Sequence, residues 1–189
     1  MKIAALMFTL ALGLGTVVTG HARSVSVTDA DYPRSLPEEG PVSVTWTDPN
    51  EFSEIKFSGN SWEAKRGNWV VDLAEHLRES AAKQLAPGET LSVNITDITR
   101  AGHYEPGRGP NLDHVRIVRD MYPPRMELSY VLRNADGQII AESDSKLADT
   151  GFLMHSSMYR DSDMLRYEKN MIDDWTRNGL RAIREPKGE

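Results

Sequence analysis

The sequence predicts an α+β domain: a two-layer sandwich of a mainly antiparallel sheet of about five strands, with two helices packed on one face. Three observations lead there. Several short segments alternate apolar and polar residues, the period-two signature of a half-buried strand. Two longer segments repeat apolar residues along a single helical stripe, so each needs a surface to cover. The segments run strand, helix, four strands, helix, and consecutive strands joined by short turns pair antiparallel.

The first strand is Val42 to Thr47, with Val42, Val44 and Trp46 sharing a face. Asp48-Pro49-Asn50 is turn chemistry, and Phe52 to Phe57 is expected to extend the sheet edge. The first helix spans 68–85, where Val70, Ala74, Leu77, Ala81 and Leu85 form the apolar stripe. Asn68 is its expected cap and Pro87-Gly88 its stop. Leu91, Val93 and Ile95 alternate along a second strand, and Val115 and Ile117 along a third over 114–119. Met126, Leu128, Tyr130 and Leu132 make the inner face of a fourth strand. Asn134-Ala135-Asp136-Gly137 turns it into a fifth over 138–147. Leu165, Met171, Ile172 and Trp175 give the last helix, 163–180, its apolar face, with Ser162 or Asp161 as cap.

Residues 1–22 read as a secretory signal peptide. Lys2 precedes an apolar run from Ile3 to Val18, and Gly20-His21-Ala22 sets small residues before a cut after Ala22. That run falls short of the roughly 20 apolar residues a membrane-spanning helix needs. The expectation is export to the periplasm as a soluble product that is not membrane-anchored. An extended arm (23–41), one α+β domain (42–182) and a charged tail (183–189) follow.

The mature chain carries 21 basic and 28 acidic residues, a charge of −7, since the leader holds one Lys and no acid. That balance argues against a nucleic-acid partner, which needs a basic face. With no Cys in the chain, thiol chemistry, disulfides, Cys-ligated zinc and iron–sulfur clusters are excluded.

Motifs for catalysis are missing. There is no Gly-x-Ser-x-Gly elbow and no phosphate loop, and Glu75-His76-Leu77-Arg78 lacks the second His of a zinc-binding helix. His76 therefore reads as a solvated residue flanking the helix stripe. Asp173-Asp174 reads as a solvated helix face, because neighbours on a helix point about 100° apart. His103 and His114 bracket a Gly/Pro loop and, with Glu105 or Asp113, offer three ligands, but at a spacing that matches no established pattern. No catalytic residue, metal or cofactor is assigned.

One stretch departs from background. From Arg100 to Arg133 there are six Arg (Arg100, Arg108, Arg116, Arg119, Arg125, Arg133) and no Lys, opposed by Glu105, Asp113, Asp120 and Glu127. Arg suits bidentate recognition of carboxylate or phosphate. Arg116, Arg119, Arg125, His103 and His114 are the candidate ligand-binding residues; the plainer reading pairs these arginines with the nearby acids. Of the four Trp, Trp46 and Trp175 are assigned to the core, and Trp62 is expected to plug a loop.

Four separated segments carry a resemblance: Val44-Thr45-Trp46-Thr47-Asp48-Pro49; Arg66-Gly67-Asn68-Trp69-Val70-Val71-Asp72-Leu73; Val115 to Asp120 with Tyr122-Pro123-Pro124-Arg125; and Leu165-Arg166-Tyr167-Glu168-Lys169 with Ile172-Asp173-Asp174-Trp175. In this order they resemble the uncharacterised bacterial family called domain of unknown function 3016, over roughly 42–177. The resemblance implies an exported proteobacterial protein and no particular activity. The expectation is thus a non-catalytic, soluble periplasmic module that binds an unknown protein or a small anionic ligand of the envelope. The alternative is a hydrolase-like or metal-dependent enzyme using His103, His114 and nearby carboxylates. A third reading has the chain dock on a protein through its sheet edge.

Overall fold

The computed structural model describes residues 26, 28–109, 111–154 and 159–184. The expected signal peptide and its cut site lie outside them. The fold is α+β, with a mixed sheet of four strands and a separate ribbon of two. Among the described residues no helix is long and apolar enough to cross a membrane.

Strand β1 (Val42–Trp46) buries alternate residues, and Val42, Val44 and Trp46 all face the core. A 3-10 turn at Pro49–Glu51 and the short helices α1 (Ser53–Lys56) and α2 (Ser61–Ala64) follow. The expectation that Phe52 to Phe57 extends the sheet is therefore corrected. Asp48 accepts from the Asn50 backbone N–H, and the Ser53 N–H donates to Asp97 Oδ1, which turns the chain into helix instead of strand.

Helix α3 (Trp69–Ala82) covers the core with Val70, Leu73, Ala74, Leu77 and Ala81, all fully buried. It returns the chain to β2 (Thr90–Thr99), which lies parallel to β1 with Val44 beside Val93. This strand–helix–strand crossover makes the sheet mixed instead of purely antiparallel. The order is β1-β2-β5-β6, where β5 (Arg125–Arg133) and β6 (Ile139–Ala148) form the expected hairpin. Gly137, at φ +77°, closes its turn in a conformation that glycine adopts without strain.

The third expected strand is displaced. Only Arg116–Ile117 (β4) is extended, and it pairs off the main sheet with His103–Tyr104 (β3). Gly102 is required here: at φ +81°, a side chain would strike the Ile117 carbonyl at 2.8 Å. Residues 34–36 also do more than lead in, since the Leu36 N–H and Arg34 carbonyl pair with Val44 and Trp46 along the outer edge of β1.

Helix α4 (Arg166–Asp174) continues through a π turn (Trp175–Gly179) into α5 (Leu180–Arg184). Its expected caps are not used; Asp163 instead accepts from the Leu165 N–H. Met171, Ile172, Trp175 and Leu180 join the core, and Trp175 meets Tyr130 of β5 edge-on at 5.9 Å. Small polar residues such as Ser43, Ser92, Asn94 and Ser129 line the other sheet face.

Candidate functional site

Arginines from four separate segments meet around one cavity. Arg66 follows α2, Arg100 follows β2, Arg116 begins β4 and Arg166 begins α4. All four line one cavity of about 620 Å³. Each lies over an aromatic ring: Arg66 over Trp62 at 5.0 Å, Arg100 over Trp69 at 4.5 Å, Arg116 over Tyr104 at 4.7 Å and Arg166 over Tyr167 at 4.4 Å. Stacking holds the planar guanidinium in place while leaving its edge free to donate.

The floor is built around Glu54, a buried carboxylate on α1. Glu54 Oε2 accepts from the Arg100 backbone N–H at 2.9 Å, and Oε1 accepts from Arg100 Nη2 at 2.9 Å and from Arg116 Nη2. Arg116 Nη1 also donates to the carbonyls of Gly102 at 3.0 Å and Ala101 at 3.3 Å. Close by, Glu168 on α4 is 1% exposed, and its Oε1 accepts from the Ala101 N–H at 2.5 Å. Burial pushes the Glu168 carboxyl above its ordinary range, against the Ala101 hydrogen bond and the charges of Arg100 and Arg116. Among the described residues, two buried polar atoms here have no partner: Glu168 Oε2 and Arg100 Nε.

The charges do not cancel. Arg66 pairs with Glu63, and Arg100 and Arg116 share Glu54. Among the described residues, Arg166 donates to the carbonyls of Asp161 and Asp163 and to the Tyr167 hydroxyl and pairs with no carboxylate. Four arginines against Glu54, Glu63 and the buried Glu168 leave a surplus of at least one positive charge around the cavity.

Of the five residues singled out from sequence, Arg116 and the exposed His114 line this cavity. Arg119 turns instead to Glu105, at 3.5 Å, a carboxylate that also holds Arg108 and accepts from the Tyr122 hydroxyl at 3.0 Å. Arg125 is exposed at the start of β5, in register with Thr99 and Ala148. His103 stacks on Tyr122 at 5.3 Å, and Asp113 accepts from the Gly107 N–H at 3.0 Å. No group of three or more His, Asp or Glu placed to hold a metal occurs among the described residues.

Three of the four segments of family resemblance converge on the same place: Arg66 and Gly67, Arg116 and Val118, and Arg166 and Tyr167 all line the cavity. The model of the family described as "Protein of unknown function (DUF3016)" matches residues 40–178. The chain belongs to the DUF3016 family. No curated protein and no solved structure matches it. In this DUF3016 protein the matched region contains the whole arginine cavity and its floor.

A second buried polar cluster ties α3 to α4. Asp173 Oδ1 accepts from Ser80 Oγ at 2.7 Å and lies 2.9 Å from His76 Nε2, while Oδ2 accepts from the Tyr159 hydroxyl at 2.5 Å. Both the solvated reading of His76 and that of Asp173 are corrected; only Asp174 is exposed. Ser, His and Asp are together here, but Ser80 and His76 meet the same carboxylate and are not bonded to each other. A nucleophile needs its base within hydrogen-bond reach, so this arrangement is a hub and not a catalytic triad. Burial raises the Asp173 carboxyl, but the hydrogen bonds from Tyr159 and Ser80 and the His76 interaction outweigh it and bring it below its ordinary range. Burial, then the bond to Asp173, pushes the Tyr159 phenol well up.

Trp62 is no plug. It is 68% exposed at the cavity's edge, which corrects the expectation from sequence. Sequence reasoning missed Arg66, Arg166 and Tyr167. The available signals were Trp62 and Arg66 four residues apart, near the reach of one helical turn, and the Arg166-Tyr167 dipeptide.

Proposed function

We propose that this DUF3016 protein is a non-catalytic binding module of the bacterial envelope that holds a small anionic ligand in the arginine cavity. The observation that carries the reading is the set of four stacked arginines with a surplus of positive charge, on a chain whose formal net charge is −6. A cavity of this volume lies within the roughly 300–1,000 Å³ of small-molecule sites. Glu63 in the cavity wall and Glu54 beneath it are engaged by arginines, and the buried Glu168 is held by the Ala101 N–H, which favours binding over acid–base chemistry. Export to the periplasm, as the leader suggests, would present the site to envelope ligands.

Citrate serves as a probe of the site. Calorimetric titration of the mature protein at low salt is expected to show saturable binding below millimolar concentration. Arg166→Gln removes the cavity arginine that has no carboxylate partner among the described residues and should weaken citrate about tenfold or more, the effect of losing a charge-assisted hydrogen bond. Arg125→Ala serves as the control and should bind as the wild type does. No saturation by ten-millimolar citrate, or an Arg166→Gln protein that binds it unchanged, would refute the reading.

A further inference from the structure

Beside the arginine cavity lies a second one, of about 720 Å³, bounded by Ser26, Thr28, Trp62, Lys65 and Asn68. Arg66 and Gly67 belong to the walls of both. Gly67 stands at φ +80° with no heavy atom within 4 Å of where a side chain would begin, so the saddle between the cavities is open. Joined, the two exceed the roughly 1,000 Å³ that bounds sites for compact ligands. Cations belong to both halves, with Arg166, Arg116 and Arg100 in one, Arg66 shared and Lys65 in the other.

We infer that the two cavities form one trough, and that its ligand is an extended acidic polypeptide segment. The inference rests on the anion-binding reading of the arginine cavity and assigns its ligand class. An extended chain advances about 3.3–3.6 Å per residue and presents carboxylates at intervals, which suits cations distributed along a trough. Polar side chains in the far half, Ser26, Thr28 and Asn68, are of the types that hydrogen-bond peptide amides. Apolar groups border the trough, with Trp62 68% exposed and Met164 90% exposed, and these give intervening apolar side chains a surface. A polyphosphate fits less well. Arg66, Arg100 and Arg116 already have carboxylate partners, so the surplus charge is small, whereas a nucleic-acid strand brings one charge every ~3.4 Å.

The experiment uses hexaglutamate, followed by fluorescence anisotropy, beside citrate, with the wild type and Lys65→Glu. Lys65 lines the far cavity and not the arginine cavity. Hexaglutamate is expected to bind at least about tenfold more tightly than citrate, a difference of about 1.4 kcal/mol. Lys65→Glu should remove that advantage while leaving citrate binding as in the wild type. Citrate binding without any gain for hexaglutamate would overturn the trough and spare the cavity; failure of both probes would overturn both readings. An equal effect of Lys65→Glu on both probes would show that the far half is not a separate contact region. Tripolyphosphate binding as tightly as hexaglutamate would make this a general polyanion site and overturn the peptide assignment.

Discussion

Two buried acids on the same helix have opposite surroundings. Asp173 is enclosed: one oxygen meets Ser80 and His76 and the other Tyr159. Glu168, five positions earlier on α4, has one oxygen on the Ala101 N–H and the other without a partner among the described residues, beside an arginine-lined cavity. A fully satisfied buried network fixes structure, because removing any member strands the others. An incompletely satisfied one, next to open space, retains unused capacity for hydrogen bonds. The same helix thus anchors the fold at its C-terminal end and closes the candidate site at its N-terminal end.

The largest expected effect lies on the enclosed side. Asp173→Ala leaves His76, Ser80 and Tyr159 without their common acceptor and should cost about 3–5 kcal/mol of stability, the range for breaking a buried charged network. Denaturant titration measures it. Citrate binding, measured where the variant remains folded, should not change. A loss below about 1 kcal/mol would show that Asp173 is not the tie between α3 and α4.

Arg116→Ala should follow, at about 2–3 kcal/mol by the same titration. It removes a charged partner from Glu54, the stack on Tyr104 and the bonds that hold the Gly102 and Ala101 carbonyls. This variant sharpens the contrast, because Arg116 belongs to the floor and the cavity wall together. Stability and citrate affinity should fall together, whereas Arg166→Gln, which breaks no ion pair among the described residues, should lower affinity with a smaller loss of stability. An Arg116→Ala protein of unchanged stability would mean that the floor is not structural.

Local pattern made the core legible. The β5 alternation from Met126 to Leu132 and the α3 stripe at Val70, Ala74 and Leu77 are buried as their periods require. Pairing was harder to read. Val115 and Ile117 alternate, but two alternating residues cannot tell a strand of the main sheet from a ribbon set beside it, and Arg116–Ile117 pairs in the ribbon. The parallel β1–β2 pair follows from the α3 crossover, a long-range consequence of a correctly read helix. Asp173 was misread although its geometry was available: if adjacent helical acids point about 100° apart, one can face the core while its neighbour faces water. The cavity was the least legible part, because Arg66 and Arg166 lie far apart along the chain and only folding brings them together.

The smallest expected effect separates the two acids by pH. The Asp173 carboxyl is held below its ordinary range, so its contribution to stability is present at neutral pH and fades as the pH falls through the acid range. The Glu168 carboxyl is raised, so the folded state takes up a proton that the unfolded chain releases near pH 4.3. Stability from Glu168 is therefore fully present below that pH and declines as pH rises toward its folded value. Glu168→Gln mimics the protonated acid, keeps an acceptor for the Ala101 N–H and should cost no more than about 1 kcal/mol in acid. Above pH 4.3 the variant should gain on the wild type, since Gln has no proton to lose. Asp173→Asn should do the reverse and lose ground to the wild type as pH rises from acid to neutral. Chemical denaturation at pH 4, 5, 6 and 7 resolves the two slopes. Parallel slopes for the two variants would mean that the acids share one environment, and the contrast between a closed anchor and an open site would fail.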